Sequence, residues 1–389
     1  MPMKQLSPKK LLLAGAGHAH IGLLRRLVAG QLESTGFKGT AIDIALISEQ
    51  PQTIYSGMLP GWMAGHYSLD DISIDIKTLC MRASVRFIEQ SIVQVDAASN
   101  MVATTGDERL VLDYDLLSLN TGAETDMRWL DKRDSYAKTD THASTDVIAI
   151  RPLSEFITHW QQILAEARQA SQYQLAIVGA GAAATELVMA AQVALQHINL
   201  NHQVTLVCGE HLLSGFNPRF QQRVIRQLHR HDIKIVHERA TGYHDGHLLT
   251  AHDTLPMDAV IAATGVVGSA WTAATDLQTV NNGFIAVNAK QQSVSHSNVF
   301  AVGDVATRVD KDVAHSGVHA VHGGAIEADN LLAYLKDEPM QDYKPKKNTL
   351  YLLSCGDKYA IASWGALSLQ GRGIWYLKRY IDQRFVKAK

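Results

Sequence analysis

Two segments of the chain repeat one pattern: an apolar strand, two glycines one residue apart, and a helical period. They are Lys10 to Leu27, KLLLAGAGHAHIGLLRRL, and Gln174 to Gln192, QLAIVGAGAAATELVMAAQ. A second apolar strand follows each about 30 residues on, at 41–48 and at 203–208. Two strand–helix–strand units of this kind require an α/β fold with parallel sheets, because a parallel partner is reached only through a crossover helix. The expectation is two dinucleotide-binding, Rossmann-like cores in one chain.

In such a turn the first glycine permits the tight bend. The second lets the backbone approach a pyrophosphate at the helix N-terminus, where free N–H groups and the helix dipole favour anions. Gly15 and Gly17, and again Gly179 and Gly181, meet both requirements. The third position departs from the fingerprint, with Ala184 in the second core and His20 in the first. Alanine is an accepted variant; histidine asks for more space between helix and strand. No carboxylate selects NADH over NADPH. The second strand of the first core ends at Ser48, beside Glu49, and that of the second at Cys208, with Glu210 nearest.

A chain of 389 residues, 46% hydrophobic and 19% charged, can bury more than one core, which excludes intrinsic disorder. Lys and Arg less Asp and Glu is 36 − 38 = −2, so there is no basic field for nucleic acid. Cys80, Cys208 and Cys355 form no CxxC pair, consistent with a reducing, cytoplasmic compartment. The start, MPMKQLSPKKLLLAGAG, is basic and then apolar but lacks a small-residue cleavage site, and is read as leading into a strand. Leu175 to Leu195 is 21 residues long, enough for a bilayer, but Gly179, Gly181 and Glu186 argue for strand, turn and helix.

Strands are expected within 85–97, 109–122, 258–265, 283–290 and 298–304, then a helix from near Ser316 to about Lys336. Asp337 to Pro345 reads as a linker, followed by a hairpin around Cys355 and a helix from about Gly373. The expected division is a first core over 1–150 and 283–336, a second core inserted at 151–282, and a tail at 337–389.

The segment NVFAVGDVA, 298–306, ends a strand in Gly303-Asp304, which brings a carboxylate acceptor close to a polyol. With Asn120-Thr121-Gly122 and Ala263-Thr264-Gly265 it makes three glycine turns at strand ends. This set resembles the pyridine nucleotide:disulfide oxidoreductases over nearly the whole chain, and within them the type II NADH dehydrogenase and sulfide:quinone reductase branch. More narrowly, GAGHAH (15–20), YSGMLPGWMAG (55–65), AHSGVHAVHGG (314–324) and the tail CGDKYAIAS…WYLKRYIDQRF resemble the oxidoreductase fused in some bacteria to selenophosphate synthetase. Relatives more often carry an acid where Ser48 and Cys208 stand.

The resemblance implies FAD in the first core, touched by Gly15, Gly17, His18, Ser48, Glu49, Met58, Leu59, Ile92, Thr121, Gly122, Gly303, Asp304, Gly317 and Val318. It implies NADH or NADPH in the second, at Gly179, Gly181, Ala182, Glu210, Thr264 and Gly265. The activity implied is transfer of hydride from NAD(P)H to flavin and of electrons onward to a small-molecule acceptor, a quinone first. No cysteine pair follows the first unit, so no dithiol relay is expected. A sulfide:quinone enzyme and a slow-turnover redox sensor are the alternatives, and a homodimer is a further expected partner. For Glu186 two readings stand: a cap on its helix N-terminus, or, as the resemblance implies, the catalytic carboxylate at the flavin–nicotinamide contact.

His315, His319 and His322 fall at i, i+4 and i+7, yet no Cys or carboxylate joins them at zinc spacing, and no metal is expected. Residues 372–389 carry six basic residues against Asp382, 6 − 1 = +5. Ile374, Leu377, Ile381 and Phe385 recur there at helical spacing, with Trp375, Tyr376 and Tyr380 alongside. Such a helix suits a peripheral anchor on the inner face of the cell membrane, or a helix docked on its own domain.

Overall fold

The computed structural model describes residues 8–31, 42–106, 109–130, 147–280 and 282–388. Strand β1 (Lys9–Ala14) breaks at Gly15, whose φ of +91° favours glycine, and helix α1 (His18–Val28) follows. Strands β2 (Ile42–Ser48), β3 (Arg86–Glu89) and β4 (Leu116–Leu119) continue the first core. The second core contains β5 (Val147–Ala149), β6 (Gln174–Val178), helix α2 (Ala182–Gln196), β7 (Gln203–Val207), β8 (Lys234–Val236) and β9 (Ala259–Ala262). The chain then returns through β10 (Val299–Ala301) and helix α3 (Gly317–Leu335), whose N-cap is Ser316.

Both sheets have five parallel strands, in the orders β10-β4-β1-β2-β3 and β5-β9-β6-β7-β8. Strands buried on both faces explain the unbroken apolar runs LLLA and LAIV. Leu11 and Leu13 pack with Ile21, Leu24 and Leu331 beneath α1 and α3. Leu12 and Ala14 face the opposite cluster around Val95, Trp271 and Ile285. In the second core Leu175 and Ile177 join Leu187, Phe156 and Trp160, while Ala176 and Val178 meet Tyr243 and Leu248. The 21-residue apolar run is thus a strand and a helix, and among the described residues no helix is long and apolar enough to cross a membrane.

The two connections between the cores lie side by side, Glu124–Thr125 pairing antiparallel with Val266–Val267. β5 pairs with β9, so strand pairing passes into the second core just ahead of position 150. Trp271 and Leu277 already pack in the first core, ahead of position 283. The tail differs from the expected hairpin. It is a three-stranded antiparallel sheet, β11 (Leu350–Ser354), β12 (Ala360–Trp364) and β13 (Leu367–Gly371), followed directly by helix α4 (Arg372–Lys387). The alternation LSLQG that builds β13 is short, and only pairing with β12 reveals it.

Candidate functional site

The turn after β1 has no room for side chains. A Cβ on Gly15 would stand 2.5 Å from the Asn120 carbonyl oxygen, and one on Gly17 would overlap the Asn120 side-chain oxygen. Asn120, just beyond β4, is buried and faces three ways. Its Oδ1 accepts the N–H groups of Ala19 (3.1 Å) and His20 (3.4 Å), and its Nδ2 donates to the Val302 carbonyl (2.6 Å). One side chain thus ties the start of α1 to the end of β10, where Gly303 turns with φ +75°. Sequence reasoning placed Asn120 in a glycine turn without assigning it this role.

Asp304 follows that turn. Its Oδ2 accepts Arg151 Nη1 at 2.6 Å, and its Oδ1 is buried with no hydrogen-bond partner among the described residues. A buried carboxylate oxygen left unpaired is costly, and a ribityl hydroxyl is a donor that would satisfy it. The glycine cradle and this orphaned acceptor both fit FAD. Arg151 carried no sequence signal.

His18 opens α1 in the same place. Burial lowers its pKa to about 4, with Asp304 pulling it up and Arg151 down. Its ring lies 5.3 Å from Tyr55 and 5.5 Å from Phe385 of α4, and Gly317 of α3 stands against its Nε2. Val318 follows in the first turn of α3. Thr121 accepts the Trp271 indole N–H at 3.3 Å, and Gly122 has φ +79°.

The remaining expected contacts differ in burial. Ser48 donates to the Gln50 carbonyl (3.2 Å), and Glu49 is exposed. Ile92 and Met58 are buried, Ile92 in the first-core cluster, and Leu59 packs into the second-core cluster with Leu187 and Leu353.

In the second core Gly179 has φ +152°, and a Cβ there would overlap the Ala263 carbonyl. Gly181 is the N-cap of α2 and Ala182 its first residue, with open space around Gly181. Thr264 donates to the Asp126 carbonyl (2.6 Å), and the Gly265 carbonyl accepts Asp126 N–H (2.9 Å). Glu210 is exposed beside His211.

Glu186 does not cap α2, which corrects one of its two readings. Its Oε1 accepts the Ser354 backbone N–H at 2.6 Å, at the end of β11. Burial raises its pKa to about 7, opposed by Lys378 and the Ser354 N–H and assisted by Asp382. The tail therefore closes on this carboxylate. Lys378 donates to the Gly57 carbonyl (2.7 Å) and to Asp382 (2.8 Å), and Tyr55 donates to the other Asp382 oxygen (3.2 Å). Burial opposes the Lys378 charge, but Asp382 and Glu186 outweigh it and hold its pKa above the ordinary value. Sequence reasoning counted Lys378 and Asp382 as surface charges.

This docking splits the expected stripe of α4: Phe385 packs against His18 and Tyr55, but Leu377 and Ile381 stay outside. Trp375 and Asp382 are buried with the Lys378 head, while Tyr376, Leu377, Tyr380 and Ile381 are exposed. Trp364, Leu367 and Leu369 of the adjoining sheet are exposed as well. His315 lies before α3 rather than on it, stacked on Phe284, while His319 bonds the Tyr343 hydroxyl at 2.9 Å. Among the described residues no metal-binding cluster forms.

A family model described as pyridine nucleotide-disulphide oxidoreductase matches residues 9–324. Ferroptosis suppressor protein 1 of Homo sapiens is 26% identical over 288 residues, 69% of this chain and 69% of that protein. The sulfide:quinone oxidoreductase of the hyperthermophilic bacterium Aquifex aeolicus superposes with a TM-score of 0.78 at 15% identity, over 98% of this chain and 92% of its own. NDH2 of Plasmodium falciparum, in complex with NADH, gives 0.74 at 12% identity, over 97% and 100%.

Proposed function

The chain belongs to the pyridine nucleotide-disulphide oxidoreductase family, and from that premise we propose an NAD(P)H oxidoreductase that passes electrons to a quinone-like acceptor without a redox-active disulfide. FAD is its cofactor and NADH or NADPH its co-substrate. When bound, FAD would supply the centre that accepts hydride from the nicotinamide and donates electrons to the acceptor. The Gly15–Gly17 turn and the α1 N-terminus hold the pyrophosphate, Asp304 the ribityl chain, and the Gly179–Gly181 turn the second nucleotide. Glu186 orients the nicotinamide from α2.

The observation that carries the acceptor reading is the docking of α4. Lys378 pins the Gly57 carbonyl, the Phe385 ring stands beside His18, and the outward face of the same helix is apolar and basic. A diffusible apolar acceptor suits an outer face of that kind, and so does a peripheral seat on the inner face of the cell membrane. The sulfide:quinone alternative needs two cysteines meeting at the flavin, and Cys80, Cys208 and Cys355 are each free and buried. A place beside selenium chemistry is supported by the motif likeness alone.

Anaerobic reduction with NADH and NADPH, then reoxidation with a panel of quinones, oxygen and ferricyanide, tests this reading. Fast turnover with quinone supports it. A reduced flavin that persists with every quinone overturns it in favour of a sensor.

A further inference from the structure

His20 occupies the third fingerprint position without loosening the helix–strand contact. It is buried at the bottom of the glycine turn. Its Nδ1 lies 2.6 Å from the Gly15 carbonyl and its Nε2 2.6 Å from Ser118 Oγ on β4. Ser118 Oγ in turn lies 2.8 Å from Oε1 of Glu327, which is buried on α3. A continuous chain of three buried side chains thus runs from the carbonyl of the first glycine, across one face of the sheet, to the neighbouring helix. Gly324, one turn before Glu327, lets α3 approach so closely that a Cβ there would overlap Ala19.

We propose that His20, Ser118 and Glu327 are positioning residues that hold the Gly15 turn in its FAD-binding shape, and that the proton on Glu327 is therefore linked to FAD uptake. A carbonyl only accepts, so His20 Nδ1 carries a hydrogen. In a neutral imidazole Nε2 must then accept from the Ser118 hydroxyl, and the Ser118 oxygen must accept from a protonated Glu327. All three bonds are made in that state. When Glu327 ionises, the Ser118 hydroxyl turns to the carboxylate, and Nε2 and the serine oxygen become two acceptors 2.6 Å apart. His20 can relieve this by changing tautomer, which sets an unprotonated Nδ1 against the Gly15 carbonyl. Either way the strain falls on the turn that seats the pyrophosphate.

Burial favours the fully bonded state at neutral pH, raising Glu327 to about 8 against the Ser118 bond and lowering His20 to about 4 against the Gly15 bond. Glu327 thus keeps its proton below about pH 8, and the linked FAD affinity is lost as pH rises through that value. Among the described residues no charged group on α1, β4 or β10 faces either end. The Arg26–Asp329 ion pair of α1 and α3 (2.5 Å) lies toward solvent, and Asp304 and Arg151 act on His18 instead.

The inference rests on the FAD seat proposed above. FAD titration of apoprotein from about pH 7 to about pH 9, in wild type, Glu327→Gln and Ser118→Ala, tests it. Wild type is expected to weaken about fivefold over that range, on the way to the tenfold limit of a one-unit rise in the linked pKa on FAD binding. Glu327→Gln donates to Ser118 at every pH and is expected to stay flat. Ser118→Ala keeps the buried carboxyl but cuts the chain, and is also expected to stay flat; it decides the matter if Glu327→Gln does not fold. A wild-type affinity independent of pH, or an equal decline in Ser118→Ala, overturns the relay. Wild-type apoprotein that takes up no FAD at any pH overturns the seat instead.

Discussion

The Glu186 carboxylate, on helix α2 of the second core, accepts the backbone N–H of Ser354 in the tail sheet at 2.6 Å. Two parts of the chain far apart in sequence therefore meet on one ionisable group. The tail also brings Lys378 and Asp382 to bear on it.

Glu186→Gln keeps the size of the side chain and an acceptor for Ser354. An ionised Glu186 favours the positive charge that a nicotinamide gains on oxidation, so reduction by NAD(P)H in wild type is expected to quicken as pH rises through about 7. The variant is expected to be about 10- to 100-fold slower and without that inflection, measured by anaerobic stopped flow. The stability sign is opposite. The folded carboxyl keeps its proton to about 7, whereas the unfolded one ionises near the ordinary value of 4.5. Stability is thus lost between those values as pH rises, and Glu186→Gln removes the loss. An unchanged rate with a lowered melting temperature would mark Glu186 as structural only.

Asp304→Ala removes the orphaned Oδ1 together with the partner of Arg151. FAD affinity is expected to fall by about 1.5–3 kcal/mol, the range for hydrogen bonds to charged groups. Flavin fluorescence during reconstitution of the apoprotein measures it; unchanged affinity would remove Asp304 from the seat.

Asn120→Ala breaks the link from the α1 N-terminus to Val302 and leaves buried groups unpaired. A loss of about 1–3 kcal/mol per group is expected, read as a lower denaturation midpoint and weaker FAD retention. Asn120→Asp restores the acceptor but not the donor to Val302. It also adds charge beside the pyrophosphate seat, so it is expected to recover stability in part and FAD binding less.

Lys378→Met leaves Asp382 buried without its cation. Breaking such a pair costs about 3–5 kcal/mol, and Lys378→Met/Asp382→Leu is expected to recover much of it. Urea denaturation of the single and double variants measures the difference. Equal midpoints for the two would show that the pair does not hold α4 in place.

The exposed face of α4 is expected to carry membrane binding. Leu377→Ser/Tyr380→Ser/Ile381→Ser leaves the docked face intact and is expected to lower flotation with anionic liposomes, while melting temperature is unchanged. Basic residues near such a surface add about 1 kcal/mol each. Flotation that is negligible in wild type would remove the anchor from the proposal.

Both glycine turns, the strands around them, the GD turn and the start of α3 at Ser316 were legible in the sequence. Each is dictated locally, by an apolar run that must be buried on both faces and by backbone that only glycine adopts at Gly15 and Gly179. The strand β13 was not legible, because its alternation is short and its pairing comes from β12. In the sequence, His20 poses a problem of space between helix and strand. Its solution is a hydrogen-bond chain to Ser118 and Glu327, residues with no local relation to it.

By itself, then, the sequence determined two Rossmann-like cores and their glycine turns, since those follow from periodicity and from the conformational freedom of single residues. Only the tertiary structure decided which side of α4 is buried, because the apolar stripe and the Lys378–Asp382 pair compete for the interior. Partners outside the helix, the Gly57 carbonyl and the Tyr55 hydroxyl, decide for the pair by satisfying buried charge. The partner of Glu186 was decided the same way: a carboxylate in an apolar helix has no assigned partner until Ser354 is folded against it.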